Sequence, residues 1–136
     1  KKIILWHGWA DVGLNPIRTI QYYEKVIQEM GGQTVSEFMR LFMVPGMYHC
    51  NGGPGPDLFD DLSALENWVE KGRVPERMTA YKTGGKNEFY PNRAPSRHAG
   101  RTYVIRSRPL CAYPKVARYD GSGSIDRAEN FHCKSP

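Results

Sequence analysis

Apolar positions along this chain follow two patterns in turn, and together they predict the order strand, helix, strand, helix. The run from Ile3 to Trp6 is continuously apolar, as in a strand buried on both faces of a parallel sheet. A second strand-like run, apolar except at Arg40, covers 38–44 and stops at Pro45. Since helical patterns follow both runs, we expect an α/β fold with parallel strands joined by crossover helices.

Two segments with apolar residues at steps of three and four predict the helices. The first begins after Asn15, whose side chain can cap it, with Pro16 in the first turn, and it ends at Gly31. The second is predicted to start at Asp57 as its cap and to end at Gly72. The expected buried faces are Ile17, Ile20, Tyr23, Ile27 and Met30 in the first helix, and Leu58, Leu62, Leu65 and Val69, beside Phe59 and Trp68, in the second.

The remainder of the chain is richer in turn residues than in periodic apolar positions. We expect a short edge strand near 78–82, a strand-helix-strand-helix core over 1–82 and a long wrapped tail over 83–136. Two strands and two helices cannot cover both faces of a parallel sheet. Because the chain also opens directly in a strand-like run, we expect it to be a fragment of one larger domain, whose other part covers its apolar faces.

Three cysteines, Cys50, Cys111 and Cys133, leave one without a partner inside the chain. Cys111 and Cys133 lie in the turn-rich tail, where a disulfide would contribute on the order of 3 kcal/mol. Cys50 directly follows a histidine in a Gly/Pro loop. It is either a buried, inert thiol or the partner of a cysteine outside these residues.

The net charge of +5 is concentrated in one stretch. Residues 71–118 hold twelve Lys/Arg against two Asp/Glu, interleaved with aromatic residues, a composition that could follow a nucleic-acid backbone. No nucleic-acid motif organises these charges, so we favour a solvated surface or one that faces an acidic part of the same protein. No apolar run approaches the ~20 residues that span a membrane. We therefore expect neither nucleic acid nor membrane as a partner.

Asp11 and His49 each follow the carboxyl end of a predicted strand, the edge of an α/β sheet where ligands bind. Adjacent parallel strands lie ~5 Å apart, so neighbouring loops can bring the carboxylate against the imidazole. Such a carboxylate orients the ring and stabilises its protonated form. Asp and then His at successive strand ends match the last two members of the α/β-hydrolase order Ser, Asp, His. A turn or capping role for Asp11 and an ordinary loop role for His49 are the alternatives.

The nucleophile motif Gly-x-Ser-x-Gly is absent from the 136 residues, so we expect this chain alone to be inactive. His7 is expected to shape the loop near Asp11, and His98 to face solvent. His132 adjoins Cys133, but no ligand spacing there supports a zinc site. We predict no metal site and no cofactor in this chain.

Five strings of the sequence resemble the C-terminal third of the tannase and feruloyl esterase family. The resemblance covers most of the chain up to Cys133 and is interrupted between about Lys82 and Arg101. Its most specific part is the His-Cys pair followed by Gly-Gly-Pro-Gly-Pro. The strings are HGWAD (7–11), PGMYHCNGGPGP (45–56), LSALENWVEKGRVPE (62–76), RSRPLCAYPKVARYDGSGS (106–124) and AENFHC (128–133).

The resemblance implies the C-terminal portion of an α/β-hydrolase fold, with Asp11 as the orienting acid and His49 as the general base of a serine esterase. It implies that Cys50 is bonded to a cysteine beside the nucleophilic serine, in an N-terminal portion outside this chain. It also implies that Cys111 pairs with Cys133. The family's lid, with its calcium site and most substrate contacts, is not expected here.

The function implied is hydrolysis of esters of an aromatic acid, either feruloyl and other hydroxycinnamoyl esters or galloyl esters. The enzyme would be secreted, either extracellular or periplasmic. Its expected partners are the N-terminal portion of the same protein, through Cys50 and the apolar faces, and a small aromatic ester. Two alternatives stay open: a non-catalytic binding protein with the α/β-hydrolase fold, and a basic binding module built on residues 71–118.

Overall fold

A computed structural model describes residues 1–84 and 103–136. Within these ranges the chain is an α/β structure of strands, helices and one short 3-10 turn. In chain order the elements are β1 (Ile3–Gly8), α1 (Pro16–Met30), α2 (Gly32–Phe38), β2 (Met39–Val44), α3 (Asp61–Lys71), β3 (Arg77–Gly84), β4 (Tyr103–Cys111), β5 (Val116–Tyr119), the 3-10 turn (Ala128–Asn130) and β6 (Phe131–Lys134).

The first two strands form the parallel pair that the sequence predicts. Their register runs from Ile3 opposite Met39 to Gly8 opposite Val44, so both strands end at the same level. The helices α1 and α2 make the crossover between them. The prediction of parallel strands joined by a crossover helix is therefore confirmed.

The β2 strand is covered on both faces, as its mostly apolar run predicts. Leu41 and Phe42 are both fully buried, and because successive strand side chains point to opposite faces, they enter different clusters. One cluster joins β2 to α1 and α2, and the other joins it to α3, β3 and β4. Their buried members are Ile20, Tyr23, Val35, Met39 and Leu41 in the first, and Phe42, Val44, Met47, Phe59, Met78, Ala80, Leu110 and Ala112 in the second.

The first helix begins where its capping residues predict. The Asn15 side chain accepts a hydrogen bond from the backbone N–H of Ile17, and Pro16 is the first helical residue. The chain then continues into α2, a helix that the sequence did not predict. Only Val35 of α2 is buried, so this seven-residue helix lacks the repeated apolar spacing by which a helix is recognised.

The predicted start of α3 is wrong, and its predicted buried face is wrong at Leu62 and Val69, whereas Leu65 and Trp68 face inward as predicted. The helix begins at Asp61, and Asp60 caps it by accepting a hydrogen bond from the backbone N–H of Ser63. Asp57 lies in the preceding loop. The face that packs inward carries Ala64, Leu65 and Trp68.

The predicted residues Leu62 and Val69 are instead 63% and 60% exposed. One contact that sets the orientation of the helix is polar: the indole Nε1 of Trp6 donates to the Asp61 carboxylate at 2.9 Å. The apolar spacing of α3 therefore did not separate its inward residues from its exposed ones, because that depends on the strands against which the helix packs.

The segment expected to be a wrapped tail holds more regular structure than predicted. The short edge strand is present as β3, which pairs antiparallel with β4, and β5 pairs antiparallel with β6. Past β4, an isolated bridge joins Ala112 to Phe42 of β2, and Tyr113 donates its N–H to the Leu41 carbonyl at 2.8 Å. The tail thus packs against the buried strand of the core. Part of it, including the predicted solvent position of His98, lies outside the described residues.

The structure joins Cys111, at the end of β4, to Cys133 in β6. Their Cα atoms lie 5.6 Å apart across a sequence separation of 22 residues. This disulfide ties the β5–β6 ribbon to the end of the strand that packs on the core. Among the helices that are described, none is both long and apolar enough to cross a membrane.

Candidate active site

The segments that follow β1 and β2 lie directly on each other. The backbone N–H of Trp9 donates to the Val44 carbonyl at 2.9 Å, and that of Ala10 donates to the Met47 carbonyl at 3.0 Å. Gly8 makes this approach possible, because a Cβ there would stand 2.3 Å from the carbonyl oxygen of Met47. The two loops that carry Asp11 and His49 are therefore held together by their backbones.

The predicted acid and base are in contact. Nδ1 of His49 lies 2.7 Å from Oδ2 of Asp11. The Asp11 side chain is fully buried, whereas the His49 side chain is 58% exposed. Because an ionised carboxylate can only accept, Nδ1 of His49 must donate, and in the neutral ring the lone pair lies on Nε2. This is the tautomer that a general base of a catalytic triad requires.

Four hydrogen bonds converge on the Asp11 carboxylate. Oδ1 accepts from the backbone N–H groups of Gly13 at 2.8 Å and Leu14 at 3.0 Å, and Oδ2 accepts from His49 and from Nε2 of His7 at 2.9 Å. The Leu14 N–H and then the His49 ring lower the pKa of Asp11 far below its usual range, and the bonds from Gly13 and His7 add to this against the opposing effect of burial. Asp11 is therefore ionised at neutral pH.

The loop that carries His49 is shaped by close backbone packing of its glycines. Gly46 and Gly53 both have positive φ, and a Cβ on Gly53 would stand 2.2 Å from the Gly46 carbonyl oxygen. The Gly55 N–H donates to that same carbonyl at 3.0 Å. Close contacts at Gly53 and Gly55 thus leave no room for side chains, while Gly52 has the positive φ that favours glycine.

Asp57, which was predicted to cap a helix, closes this loop instead. One carboxylate oxygen accepts from the Gly52 N–H at 2.7 Å, and the other lies 3.0 Å from Nζ of Lys82 in β3. Asp57 thereby ties the loop that follows His49 to the β3–β4 sheet.

Cys50 is exposed and is bonded to neither of the other two cysteines. The alternative of a buried thiol is therefore wrong. Since Cys50 directly follows His49, this exposed cysteine lies next to the candidate base in the chain.

His7 has a larger part in the site than the sequence suggested. It was expected only to shape the loop near Asp11, yet it lies within β1 and bonds the Asp11 carboxylate directly. The signal in the sequence was the four-residue spacing of His7 and Asp11. This spacing brings the two side chains together only because the chain turns back after Gly8, which the sequence alone does not show.

His132 of β6 is bonded to Asp120, which directly follows β5. Among residues 1–84 and 103–136, no three His, Cys, Asp or Glu side chains come together in a way that could hold a metal ion. Several cations of the basic stretch are paired: Arg106 with Asp126, and Lys115 with Glu76.

Comparison with known proteins places these residues among esterases. The model of the family described as tannase and feruloyl esterase matches residues 1–134. The mono(2-hydroxyethyl) terephthalate hydrolase of Piscinibacter sakaiensis is 42% identical over 135 residues, which are 99% of this chain and 20% of that protein. A probable feruloyl esterase of Arthroderma benhamiae is 38% identical over 137 residues, which are 97% of this chain and 22% of that protein.

A solved structure with a similar fold is also named as a feruloyl esterase. The crystal structure of feruloyl esterase B from Aspergillus oryzae superposes with a TM-score of 0.79 at 26% identity, covering 98% of this chain and 26% of that one. The chain thus spans about a fifth to a quarter of the length of these relatives.

Proposed function

The chain belongs to the tannase and feruloyl esterase family, whose matched relatives are named as esterases and hydrolases, and we propose that it supplies the acid and the base of a serine carboxylic-ester hydrolase. The observation that carries the proposal is the hydrogen bond from Nδ1 of the exposed His49 to the buried Asp11. Asp11 orients the imidazole and stays ionised, and Nε2 of His49 accepts the proton.

The chemistry is acyl transfer in two halves. His49 takes the proton of a serine hydroxyl while the serine oxygen attacks the ester carbonyl, and the resulting imidazolium is stabilised by Asp11. When the tetrahedral intermediate collapses, the ester C–O bond breaks and His49 returns the proton to the leaving alcohol. Water, deprotonated by His49, then attacks the acyl-enzyme and releases the acid and the serine.

The serine must come from a segment outside these 136 residues, because no serine here lies in Gly-x-Ser-x-Gly. We propose that this segment docks on the exposed side of His49 and that Cys50 forms a disulfide with a cysteine beside the serine. The exposure of Cys50 supports this pairing. Such a bond would limit how far base and nucleophile drift apart, and a shift of ~1 Å costs about 100-fold in rate.

The proposed substrate is an ester of an aromatic acid, such as a feruloyl, another hydroxycinnamoyl or a galloyl ester. Relatives named for feruloyl and terephthalate esters support this class. Exposed apolar side chains also flank the acid: Trp9 is 43% exposed, Leu14 58% and Val12 97%. We propose that they form part of the surface against which the substrate packs.

We further propose that the protein works in an oxidising compartment, secreted or periplasmic. The disulfide between Cys111 and Cys133 supports this, because disulfides persist mainly in such compartments.

A chimeric enzyme tests the function. This chain would replace the aligned segment of the Piscinibacter sakaiensis hydrolase, and turnover of mono(2-hydroxyethyl) terephthalate and of methyl ferulate would be measured. We expect hydrolysis of at least one ester, and we expect His49→Ala to lower kcat on the order of 10⁶-fold, as for other triad bases. His132→Ala, which also removes a carboxylate-bound histidine, is the matched control and should leave kcat unchanged. Near-normal turnover by His49→Ala would reject the assignment.

A non-catalytic binding protein is the second candidate, because the nucleophile motif is absent from the sequence. A chimera that folds and binds the ester without hydrolysing it would favour this alternative. Binding measured by calorimetry beside the kinetic assay separates the two functions.

A further inference from the structure

A second imidazole shares the carboxylate oxygen that His49 uses. Nε2 of His7 lies 2.9 Å from Oδ2 of Asp11, and the His7 side chain is only 12% exposed. Because the ionised carboxylate can only accept, Nε2 of His7 must carry a proton. Asp11 therefore receives one imidazole N–H from the base and another from a largely buried ring.

The His7 ring is held at both of its nitrogen atoms. Its Nδ1 lies 2.6 Å from Oγ1 of Thr19 in α1, while Nε2 bonds Asp11. His7 itself is the penultimate residue of β1, where it lies opposite Met43 in the parallel register. A strand and a helix thus fix the direction in which the Nε2 proton points.

Without His7, the Asp11 carboxylate would be held firmly at one oxygen only. Oδ1 is bonded to the backbone N–H groups of Gly13 and Leu14, but among the described residues Oδ2 otherwise bonds only His49, a largely exposed side chain on a different loop. The χ2 torsion of aspartate is broad, so bonds at one oxygen do not fix the carboxylate plane. The His7 N–H supplies the second fixed point.

We propose that His7 is a positioning residue for the reaction proposed above, on which this inference rests. It does not touch the substrate but acts through Asp11, by holding Oδ2 where Nδ1 of His49 can donate to it. Thr19 keeps the His7 ring in the orientation that this requires.

Three substitutions test the role of His7 in the chimeric enzyme. His7→Phe removes the donor but keeps an aromatic ring, His7→Gln keeps an amide N–H at a similar reach, and Thr19→Val removes the anchoring hydroxyl. We expect His7→Phe to lower kcat about tenfold or more with little change in KM, below the ~100-fold cost of a 1 Å displacement. His7→Gln should recover most of kcat, and Thr19→Val should lie between wild type and His7→Phe.

A spectroscopic measurement on the 136-residue chain separates this inference from the proposed function, because it needs no ester hydrolysis. Nitrogen-15 spectra of the imidazole rings should show His49 as the Nδ1–H tautomer, with its Nδ1 proton shifted far downfield. His7→Phe should move His49 towards a mixture of tautomers, and His7→Gln should restore the signal. His132→Phe, at the other carboxylate-bound histidine, is the matched control and should change neither kcat nor the His49 signals.

The proposal is overturned if His7→Phe leaves kcat and the His49 tautomer unchanged, or if His7→Gln is as impaired as His7→Phe while both variants are folded by circular dichroism. Should His7→Phe fail to fold, wild-type behaviour of Thr19→Val in both measurements would equally contradict it. If no chimera hydrolyses an ester, the proposed function fails, and the ring-nitrogen spectra still decide whether His7 positions Asp11.

Discussion

Gly8 lies against the carbonyl oxygens of Met47 and Tyr48, so that the end of β1 touches the segment that leads to His49. A Cβ on Gly8 would stand 2.3 Å from both oxygens. The N–H of Ala10 then donates to the Met47 carbonyl at 3.0 Å. This backbone contact holds in register the two loops that carry Asp11 and His49, the proposed acid and base.

Gly8→Ala is therefore expected to separate the acid from the base. Both atoms that the new Cβ would meet belong to the backbone, so the loop carrying His49 has to move. A displacement of ~1 Å predicts a loss of about 100-fold in kcat, to be measured by ester hydrolysis in the chimeric enzyme.

The matched control for this substitution is Gly32→Ala at the start of α2. There the nearest atom to a new Cβ is Cγ2 of Ile27 at 3.9 Å, an ordinary contact. We expect kcat to be unchanged. Equal kcat values for the two variants would contradict the role given to the Gly8 contact.

Asp11→Asn is expected to lower kcat about 10⁴-fold, the loss seen when a triad aspartate becomes an amide and the imidazole takes the wrong tautomer. The substitution keeps the shape and burial of the side chain. The loss of kcat therefore reports the removal of the negative charge and of one acceptor oxygen. Asp120→Asn is the matched control, because Asp120 bonds His132 on the β5–β6 ribbon. A kcat within tenfold of wild type for Asp11→Asn would argue against an orienting acid.

Folding stability is expected to decline in acid partly through Asp11. Its pKa is lowered in the folded chain, first by the Leu14 N–H and then by His49, against about 3.9 when unfolded. A lowered folded pKa contributes stability above the unfolded value, and that contribution is lost as the pH falls towards the folded value. Urea unfolding at about pH 5 and pH 3 should show a smaller loss for Asp11→Asn than for wild type. The same loss in both proteins would count against this linkage.

The corrected face of α3 predicts opposite outcomes at two neighbouring positions. Trp68 is 1% exposed, with Nζ of Lys2 5.2 Å and Cζ of Arg40 5.4 Å from its ring centroid, whereas Val69 is 60% exposed. Trp68→Ala should lower the free energy of unfolding by about 3–5 kcal/mol. Val69→Ala should change it by less than about 0.5 kcal/mol. Denaturant unfolding measures both, and similar losses at the two positions would refute this orientation.

The Cys111–Cys133 disulfide is expected to stabilise the chain by about 3 kcal/mol, since it closes a loop of 22 residues in the unfolded state. Denaturant unfolding of the variant with both cysteines replaced by serine measures the loss. Cys50→Ser is the control, because that thiol is exposed and unbonded, and it should leave the stability of the chain unchanged. Equal free energies of unfolding for the two variants would show that the disulfide does not stabilise the chain.

Features that depend on local pattern were predictable from the sequence. The run around Leu41 and Phe42 is apolar except at Arg40, and such a pattern is typical of a strand that is covered on both faces. Asn15 and Pro16 mark the start of α1 by capping chemistry that needs no distant partner.

The contact between Asp11 and His49 was predictable for a different reason. Parallel strands that end at the same level bring the residues after them to one edge, so chain order and strand ends were sufficient. The His-Cys string beside this edge carried the family resemblance.

The sequence by itself thus determined the α/β class, the parallel pair and the edge at which Asp11 and His49 meet, because these follow from periodicity and chain order. Only the tertiary structure decided the inward face of α3, the strands of the tail and the bond from His7 to Asp11. The reason is physical: each depends on a partner that local pattern does not encode, namely the Trp6 indole for α3, the Leu41 backbone for the tail and the turn after Gly8 for His7.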